Sequence, residues 1–402
     1  MAPKLKPMAS SHHRVSSTHE SKDPDEIVVG NIKVGKDGIV FLAQGSPHTT
    51  TNCTDGVPLE PGTPGTPFTN PTVRLDQLEK KRALGEGRQG TVSQYVLKED
   101  RNVSFAVKKI AVASATDPKC LQSLGAELRN IFTEDNEYTI KLYNAFYRSH
   151  NLYLVMEYMN WGNLEELCSA QPRLTEPVSA YIAGQILHSL ALLHRRHVVA
   201  GSADGKETRQ IHRDIKPANV LLACDGRVKL ADFGVAANAE TVGASSFVGT
   251  TSYMSPERIK GSTHGPQSDI WSVGVVVAQM MLGEYPFSSA KTSFMKLLQE
   301  ITQFDRLDFK GIPASAECVD FIDRCLAPKE DERWSAEQLL KHPWLESNET
   351  KGREELRALL DNTGDVALHR ANTSITTNED GDSSPLIVGT AIASGATATP
   401  KK

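Results

Sequence analysis

The chain has 402 residues and a formal net charge of −5, and it contains no dense block of lysine and arginine. This composition gives no electrostatic support for nucleic-acid binding. Six cysteines lie apart without CxxC pairs, which argues against a zinc site or a disulfide framework and favours a reducing compartment. The N-terminal residues lack the apolar core of a secretory signal, and the longest apolar run, residues 271–282, is too short to span a bilayer and suits a buried helix. We therefore expect a cytoplasmic protein with no nucleic-acid or membrane partner.

The N-terminal flank divides into three parts by composition. Residues 1–26 are rich in Ser, His, Lys and Pro, which predicts a disordered tail. Residues 27–45 predict a β-hairpin-like segment, with two apolar runs on either side of a turn at residues 35–38. Because an isolated hairpin is marginally stable in water, we expect it to dock on the domain that follows. Residues 46–74 carry repeated prolines and predict an extended linker.

A glycine-rich segment opens the central region. Its residues are, in order, Gly85, Glu86, Gly87, Arg88, Gln89, Gly90, Thr91 and Val92. Glycine has no Cβ, so such a loop lets backbone amides approach phosphate oxygens. A dinucleotide-binding loop is the alternative, but it requires a helix directly after the loop. Residues 91–97 and 103–107 are instead rich in β-branched and aromatic residues and predict two strands. Lys108 ends the second strand and is placed to reach the α- and β-phosphates of a nucleotide.

The next segment predicts a helix over residues 121–132. Its apolar face is formed by Leu121, Leu124, Leu128 and Ile131. Glu127 lies within this helix and is the preferred acidic partner of Lys108. Glu134 and Glu137 are the alternatives, but they lie beyond the apolar face and are expected to be solvated.

Residues 212–234 hold most of the groups that phosphoryl transfer requires. The reaction needs a carboxylate that receives the proton of the attacking hydroxyl, oxygen ligands for magnesium, and a cation beside the developing charge. Asp214 fits the first role, and Lys216 fits the last. Asn219 and Asp232 fit the metal ligands, with two short predicted strands between them. The ordered set resembles the catalytic loop of protein kinases.

Features further along the chain fit the same kind of enzyme. Ser255, Pro256 and Glu257 stand where protein kinases end their activation segment. Asp269 opens the next buried helix and is placed to brace the catalytic loop. Arg333 is expected to pair with Glu257, because a buried carboxylate without a partner is costly.

The predicted fold class is α+β, with the bilobal protein kinase fold over residues 75–345. The β-rich small lobe is expected to run to about residue 158, and the mainly helical large lobe to cover residues 159–345. Residues 346–402 predict a C-terminal tail that is disordered or extended, apart from a short helix at residues 353–360.

The end of the activation segment resembles that of mitogen-activated protein kinase kinases. Most serine/threonine kinases have Ala, where this chain has Ser255, before the Pro-Glu pair. The distinctive run is Ser252, Tyr253, Met254, Ser255, Pro256, Glu257 and Arg258. Three other segments are also similar to that family, namely residues 246–250, 285–287 and 294–301. A segment of its plant members resembles residues 31–42. The resemblance implies a dual-specificity kinase that uses ATP and Mg²⁺ to phosphorylate Thr and Tyr in the activation loop of a downstream mitogen-activated protein kinase.

The nucleotide is expected between the two lobes, under the glycine-rich loop. Met156 is the expected gatekeeper, and the backbone at Glu157 and Met159 is expected to hold adenine. Leu84 and Ala106 complete this predicted site.

An upstream kinase is implied as the activator. Thr241 and Ser245 have the spacing of the paired switch sites of animal members, and Ser246 aligns by its distance from Asp232. Arg213 is the expected partner of the phosphate. We predict that the protein is nearly inactive until Ser246 is phosphorylated together with Thr241 or Ser245.

Several features depart from the family pattern. Residues 199–210 form an insertion before the catalytic loop and predict a surface loop. Val242 stands at the first switch position, and no good docking motif precedes the catalytic domain. A serine/threonine kinase that acts directly on effectors remains the alternative function. A pseudokinase is disfavoured because every catalytic residue named above is present.

Overall fold

The computed structural model describes residues 26–29, 32–36, 38–41, 73–87, 90–111, 136–199, 207–232, 252–291 and 294–363. Near the N-terminus, three short strands form an antiparallel sheet in the order β1, β2, β3. They are β1 Ile27–Val29, β2 Ile32–Gly35 and β3 Gly38–Phe41. The predicted hairpin is therefore confirmed as β2 and β3, and β1 adds a strand that the pattern did not predict.

Asn144 joins this N-terminal sheet to the small lobe. Its carbonyl oxygen Oδ1 accepts from the Ile39 N–H at 3.4 Å, and its Nδ2 donates to the Val73 carbonyl at 3.2 Å. Val34 and Ile39 are buried, at 3 % and 4 % exposed. The sheet therefore docks on the small lobe, as its marginal stability in isolation predicts.

The small lobe is built on a five-stranded antiparallel sheet. Its strands are β4 Leu78–Gly87, β5 Gly90–Leu97, β6 Ser104–Ala111, β7 Leu142–Arg148 and β8 Asn151–Glu157. They are ordered β4, β5, β6, β8, β7, so β6 lies at the centre. A strand, and not a helix, follows the glycine-rich loop, which excludes the dinucleotide-binding alternative. The predicted helix at residues 121–132 lies outside the described residues.

The large lobe contains eight α-helices among the residues described. They are α1 Leu164–Ala170, α2 Glu176–His194, α3 Pro256–Ile259, α4 Gln267–Leu282, α5 Phe294–Thr302, α6 Ala316–Cys325, α7 Ala336–Leu339 and α8 Pro343–Thr363. The helix predicted from residues 271–282 is confirmed as the major part of α4, which is buried along most of its length. α4 ends where Gly283 adopts φ +80°, a left-handed conformation that favours glycine. The core around α2 and α4 is the base on which the catalytic segment lies.

A small sheet connects this base to the interlobe segment. It consists of β9 Gly162–Asn163, β12 Val220–Leu222 and β13 Val228–Leu230, with β12 in the middle. The two strands predicted within the catalytic segment are β12 and β13. The α+β, bilobal architecture predicted from the sequence is confirmed.

Two segments differ from their sequence-based predictions. The insertion is not entirely a loop, because β10 His197–Val199 pairs with β11 Glu207–Arg209; the β-branched residues Val198, Val199 and Thr208 favour extended backbone. The helix predicted at residues 353–360 is longer, since α8 runs without interruption from Pro343 to Thr363 and packs along α2. Apolar positions at Leu356 and Leu360 are buried against the large lobe, which stabilises a helix that its polar sequence alone does not favour. No helix in the described part of the chain has the length and apolar character needed to cross a membrane.

Candidate active site

A cleft of about 280 Å³ lies between the two lobes. The predicted site residues that line it are Leu84, Gly85, Val92, Ala106, Lys108, Met156, Glu157, Met159, Asn219 and Asp232. They come from β4, β5, β6 and β8 above the cleft and from the catalytic segment below it. The fold thus brings together groups that lie far apart in the sequence.

The glycine-rich segment forms the turn between β4 and β5, above the cleft. Glu86 pairs with Thr91, and Gly87 pairs with Gly90. Gly90 has φ +125°, and a Cβ at this position would lie 2.0 Å from the Lys109 carbonyl oxygen. Only glycine fits there, because any side chain would collide with the neighbouring strand. Two members of the predicted loop, Arg88 and Gln89, lie outside the described residues.

Lys108 lies on the central strand β6 and points into the cleft. Its side chain is 4 % exposed, and its Nζ contacts Asp232 Oδ1 at 2.7 Å. Asp232 has φ +57°, an uncommon conformation for a residue other than glycine. Glu127, the predicted partner of Lys108, lies outside the described residues, so that pair stays a prediction.

Asp214, Lys216 and Asn219 form one hydrogen-bonded group below the cleft. Lys216 Nζ lies 3.1 Å and 2.8 Å from the two carboxylate oxygens of Asp214. Asn219 Nδ2 donates to the backbone carbonyl of Asp214 at 2.7 Å and to its Oδ2 at 2.9 Å. A short 3₁₀ turn, Pro217–Asn219, gives the backbone the bend that returns Asn219 to Asp214. A carboxylate, a cation and a side-chain amide are thereby held together, and Asn219 is the member of this group that lines the cleft.

Asp269, on the first turn of α4, holds the catalytic loop from below. Its Oδ1 accepts from the Arg213 N–H at 2.9 Å, and its Oδ2 accepts from the His212 N–H at 2.8 Å. His194 Nε2 also lies 2.9 Å from Oδ2. Burial raises the pKa of Asp269, but hydrogen bonding to His194 and the charges of both histidines outweigh it, so the pKa lies below its ordinary value. Asp269 is therefore ionised, and the predicted brace is present.

Glu257 and Arg333 form the predicted buried pair. Arg333 Nη1 and Nη2 donate to the two carboxylate oxygens of Glu257 at 2.6 Å and 2.8 Å. The Arg333 side chain is fully buried, and its guanidinium lies 5.0 Å from the centre of the Trp271 ring. Burial raises the pKa of Glu257, but the hydrogen bonds from Arg333 prevail and leave that pKa below its ordinary value. The end of the activation segment is thereby fixed to the large lobe.

Sequence reasoning missed several contacts of the interlobe segment. Arg82 Nη2 donates to the Tyr158 hydroxyl at 2.9 Å, which connects β4 to the segment after β8. The Glu157 carboxylate accepts from Arg227 at 2.8 Å and from Lys229 at 2.7 Å, on the large-lobe side. No local pattern signals these pairs, because their members are distant in the chain.

Other residues that line the same cleft were also missed, among them Gly162, Asn163 and Glu166. Asn163 and Glu166 form a capping box at the start of α1, with hydrogen bonds of 3.1 Å and 3.0 Å. This Asn-x-x-Glu spacing before a helix is a signal that could have located them. The predicted switch residues Thr241, Ser245 and Ser246 lie outside the described residues.

Comparison with known proteins agrees with this geometry. The protein kinase domain family matches residues 78–345. The fold and the cleft are therefore those of a protein kinase, an enzyme that uses ATP as its substrate.

Similarity to individual proteins shows which family of protein kinases the chain resembles. A MAP kinase kinase of Saccharomyces cerevisiae is 35% identical over 69% of this chain, which spans 54% of that protein, about half its length. Mitogen-activated protein kinase kinase 1c of Physcomitrium patens is 33% identical over 68% of this chain and 78% of its own length. Mitogen-activated protein kinase kinase 2 of Arabidopsis thaliana is 30% identical over 80% of this chain and 84% of its own length. The chain belongs to the mitogen-activated protein kinase kinase family.

Proposed function

We propose that this protein transfers the γ-phosphoryl group of ATP to Thr and Tyr in the activation loop of a downstream mitogen-activated protein kinase. The observation that carries the proposal is the hydrogen-bonded group formed by Asp214, Lys216 and Asn219. Asn219 lines the same cleft as the Lys108–Asp232 pair. The names of the similar proteins support the choice of substrate. Dual specificity rests on this similarity and on the run that ends at Arg258.

Each residue of the group has a role in the proposed reaction. Asp214 orients the attacking hydroxyl and receives its proton, while Lys216 stabilises the charge that develops on the transferred phosphoryl. Lys108 positions the α- and β-phosphates. The backbone between Glu157 and Met159 holds adenine. The Glu157 N–H is donated to the Lys141 carbonyl at 2.8 Å, so it is not the group that contacts the base.

Asn219 and Asp232 are the proposed magnesium ligands. Carboxylate and amide oxygens are the donors that Mg²⁺ prefers. The Asn219 amide nitrogen is engaged by Asp214, so its carbonyl oxygen is the atom that faces a cation. When bound, the metal neutralises charge on the phosphates.

Activation is proposed to depend on an upstream kinase. Phosphorylation of Ser246 together with Thr241 or Ser245 adds negative charge that pairs with Arg213, orders the activation segment and helps set Glu127 against Lys108. Arg258 Nη1 donates to the Arg213 carbonyl at 2.7 Å, which supports a cationic site at this position. Replacing all three hydroxyl residues by Ala is expected to prevent activation by any upstream kinase that activates the wild type.

We place this activity in the cytoplasm. Among the described residues, Cys168, Cys318 and Cys325 are free thiols, which fits a reducing compartment.

The experiment uses the full-length protein co-expressed with an upstream cascade kinase and then purified. It is incubated with Mg-ATP and a panel of catalytically inactive mitogen-activated protein kinases, and the modified residues are mapped by mass spectrometry. Asp214→Ala and Lys108→Met are expected to lower kcat by roughly two to four orders of magnitude with an unchanged melting temperature. Lys109→Met is the matched control, since this exposed neighbour on β6 points away from the cleft.

The outcomes separate the candidate functions. Phosphorylation of both Thr and Tyr in the activation loop of one panel member supports the proposal. Phosphorylation of only Ser and Thr on generic substrates would establish the alternative, a kinase that acts directly on effectors. Full activity of either catalytic variant would refute the assigned roles.

A further inference from the structure

Trp161 connects the nucleotide cleft to the C-terminal helix. It lies between Met159 and Gly162, which both line the cleft, and its side chain is fully buried. Its backbone N–H donates to the Leu222 carbonyl at 3.1 Å. Its indole Nε1 donates to the backbone carbonyl of Leu360 at 3.2 Å, a residue 199 positions later in the chain. The segment that crosses between the lobes is therefore bonded to the last described turn of α8.

The indole N–H of Trp161 is buried, so it needs an acceptor. The Leu360 carbonyl supplies that acceptor, and the same carbonyl also accepts from the Thr363 hydroxyl at 3.3 Å. Because Trp161 and Leu360 are both buried, solvent does not replace this hydrogen bond.

α8 is itself held closely along α2, so it provides a firm attachment. A Cβ on Gly352 would lie only 2.1 Å from the Pro177 carbonyl oxygen, which shows how near the two helices approach. Glu355 accepts a hydrogen bond from the Thr175 hydroxyl at 2.6 Å. Leu356 is fully buried one turn before Leu360. Any movement of Trp161 relative to α8 must therefore break its hydrogen bond.

On the cleft side, the backbone that follows Trp161 has little freedom. Gly162 has φ +131°, and a Cβ there would lie 2.2 Å from Glu166 Oε2. Asn163 pairs with Leu221 of β12, and the capping box ties Asn163 to Glu166. A displacement of Trp161 would therefore shift all three of these cleft-lining residues together.

We propose that Trp161 is a positioning residue for nucleotide binding, because its hydrogen bond to the end of α8 sets the cleft wall formed by Gly162, Asn163 and Glu166. The inference rests on the nucleotide-binding role of this cleft. Energetic coupling between two sites is reciprocal. Nucleotide binding therefore stabilises the turn of α8 around Leu360, and the hydrogen bond between Trp161 and Leu360 strengthens nucleotide binding.

The first test compares nucleotide affinity in three full-length proteins. Mg-ADP is titrated calorimetrically into the wild type, Trp161→Phe and Glu355→Ala. Phe keeps a large apolar ring but removes the indole N–H, so Trp161→Phe is expected to bind Mg-ADP roughly two- to tenfold more weakly, the range for one buried hydrogen bond. In activity assays the KM for ATP rises by the same factor with kcat nearly unchanged. Glu355→Ala removes the hydrogen bond between α8 and Thr175 but leaves the one between Trp161 and Leu360, and it is expected to bind Mg-ADP as the wild type does.

Affinity equal to that of the wild type in Trp161→Phe would overturn the inference. An equal loss in both variants would also overturn it, since general loosening of α8 would then explain the effect. A wild type that binds no Mg-ADP would instead refute the proposed function.

The second test uses only the wild type, so it decides the question even if Trp161→Phe does not fold. Amide hydrogen exchange is measured by mass spectrometry with and without Mg-ADP. Exchange in residues 356–363 is expected to slow on nucleotide binding, while residues 346–352 of the same helix serve as the internal control and remain unchanged. Equal exchange at residues 356–363 with and without Mg-ADP would overturn the inference.

Discussion

Replacement of Asp269 by Asn is expected to lower both the stability of the large lobe and the turnover of the enzyme. The carboxylate now accepts three hydrogen bonds on two oxygens, from Arg213 N–H, His212 N–H and His194. Asn keeps one carbonyl oxygen and places an NH₂ group where the other oxygen was. If the retained oxygen faces Arg213, the new amide can donate to His194 after a change of imidazole tautomer. The His212 N–H then faces a donor and loses its only acceptor on this side chain.

The magnitude follows from that single loss. A buried backbone N–H without an acceptor costs about 1–3 kcal/mol. Each kcal/mol lowers the Tm of a domain of 150–250 residues by roughly 2–4 °C, so the Tm of Asp269→Asn is expected to fall by about 2–12 °C. Asp269→Ala leaves all three donors without a carboxylate and is expected to be more damaging.

The effect on activity comes through the catalytic loop. Arg213 has φ +72°, a strained conformation that its hydrogen bond to Asp269 helps to maintain, and Asp214 is the next residue. Loss of this support is expected to reduce kcat by about ten- to a hundredfold, which corresponds to roughly 1.4–2.7 kcal/mol of transition-state stabilisation.

The assay combines differential scanning calorimetry with steady-state kinetics. Ser268→Ala is the matched control, because Ser268 lies on the same turn and its hydroxyl donates to the backbone carbonyl of Gly265, three residues earlier. An Asp269→Asn protein with the Tm and kcat of the wild type would refute the reasoning. If Asp269→Ala lowered the Tm less than Asp269→Asn does, the explanation by lost hydrogen bonds would be refuted.

Three further predictions concern stability and its dependence on pH. Gly352→Ala is expected to destabilise by about 1–3 kcal/mol, despite the higher helix propensity of Ala, because the new Cβ collides with the Pro177 carbonyl; the urea midpoint measures this. Arg333→Ala should cost about 3–5 kcal/mol because it leaves the Glu257 carboxylate buried without its partner, and adding Glu257→Gln should recover part of the loss. Burial lowers the pKa of His212 below its ordinary 6.5. As the pH falls, this imidazole is therefore protonated in the unfolded chain before it is protonated in the folded protein. The free energy of unfolding is therefore expected to hold above pH 6.5 and to decline as the pH falls below it, with a smaller slope in His212→Gln, in urea titrations across this range.

Much of the active site was predictable because its residues lie close together in the sequence. Asp214, Lys216 and Asn219 are separated by so few residues that one loop and one 3₁₀ turn bring them into contact. The strands on either side of the glycine-rich loop were also predictable, since runs of β-branched and aromatic residues favour extended backbone. Lys108 could be assigned because it follows the apolar run of one of those strands at a fixed distance from the loop. The strand itself was predicted too short, since β6 continues past Lys108 to Ala111.

Apolar periodicity reports the local backbone conformation and the face that will be buried, but it does not report which distant surface covers that face. The contact between Lys108 and Asp232 joins residues 124 positions apart, and the one between Trp161 and Leu360 joins residues 199 positions apart. The length of α8 likewise depends on α2, against which its few apolar residues are buried. By itself the sequence determined the class of enzyme, the order of the candidate catalytic residues and the local strands and turns that carry them. Only the tertiary structure decided which side chains hold that site in place, because those partners meet only when distant elements pack together.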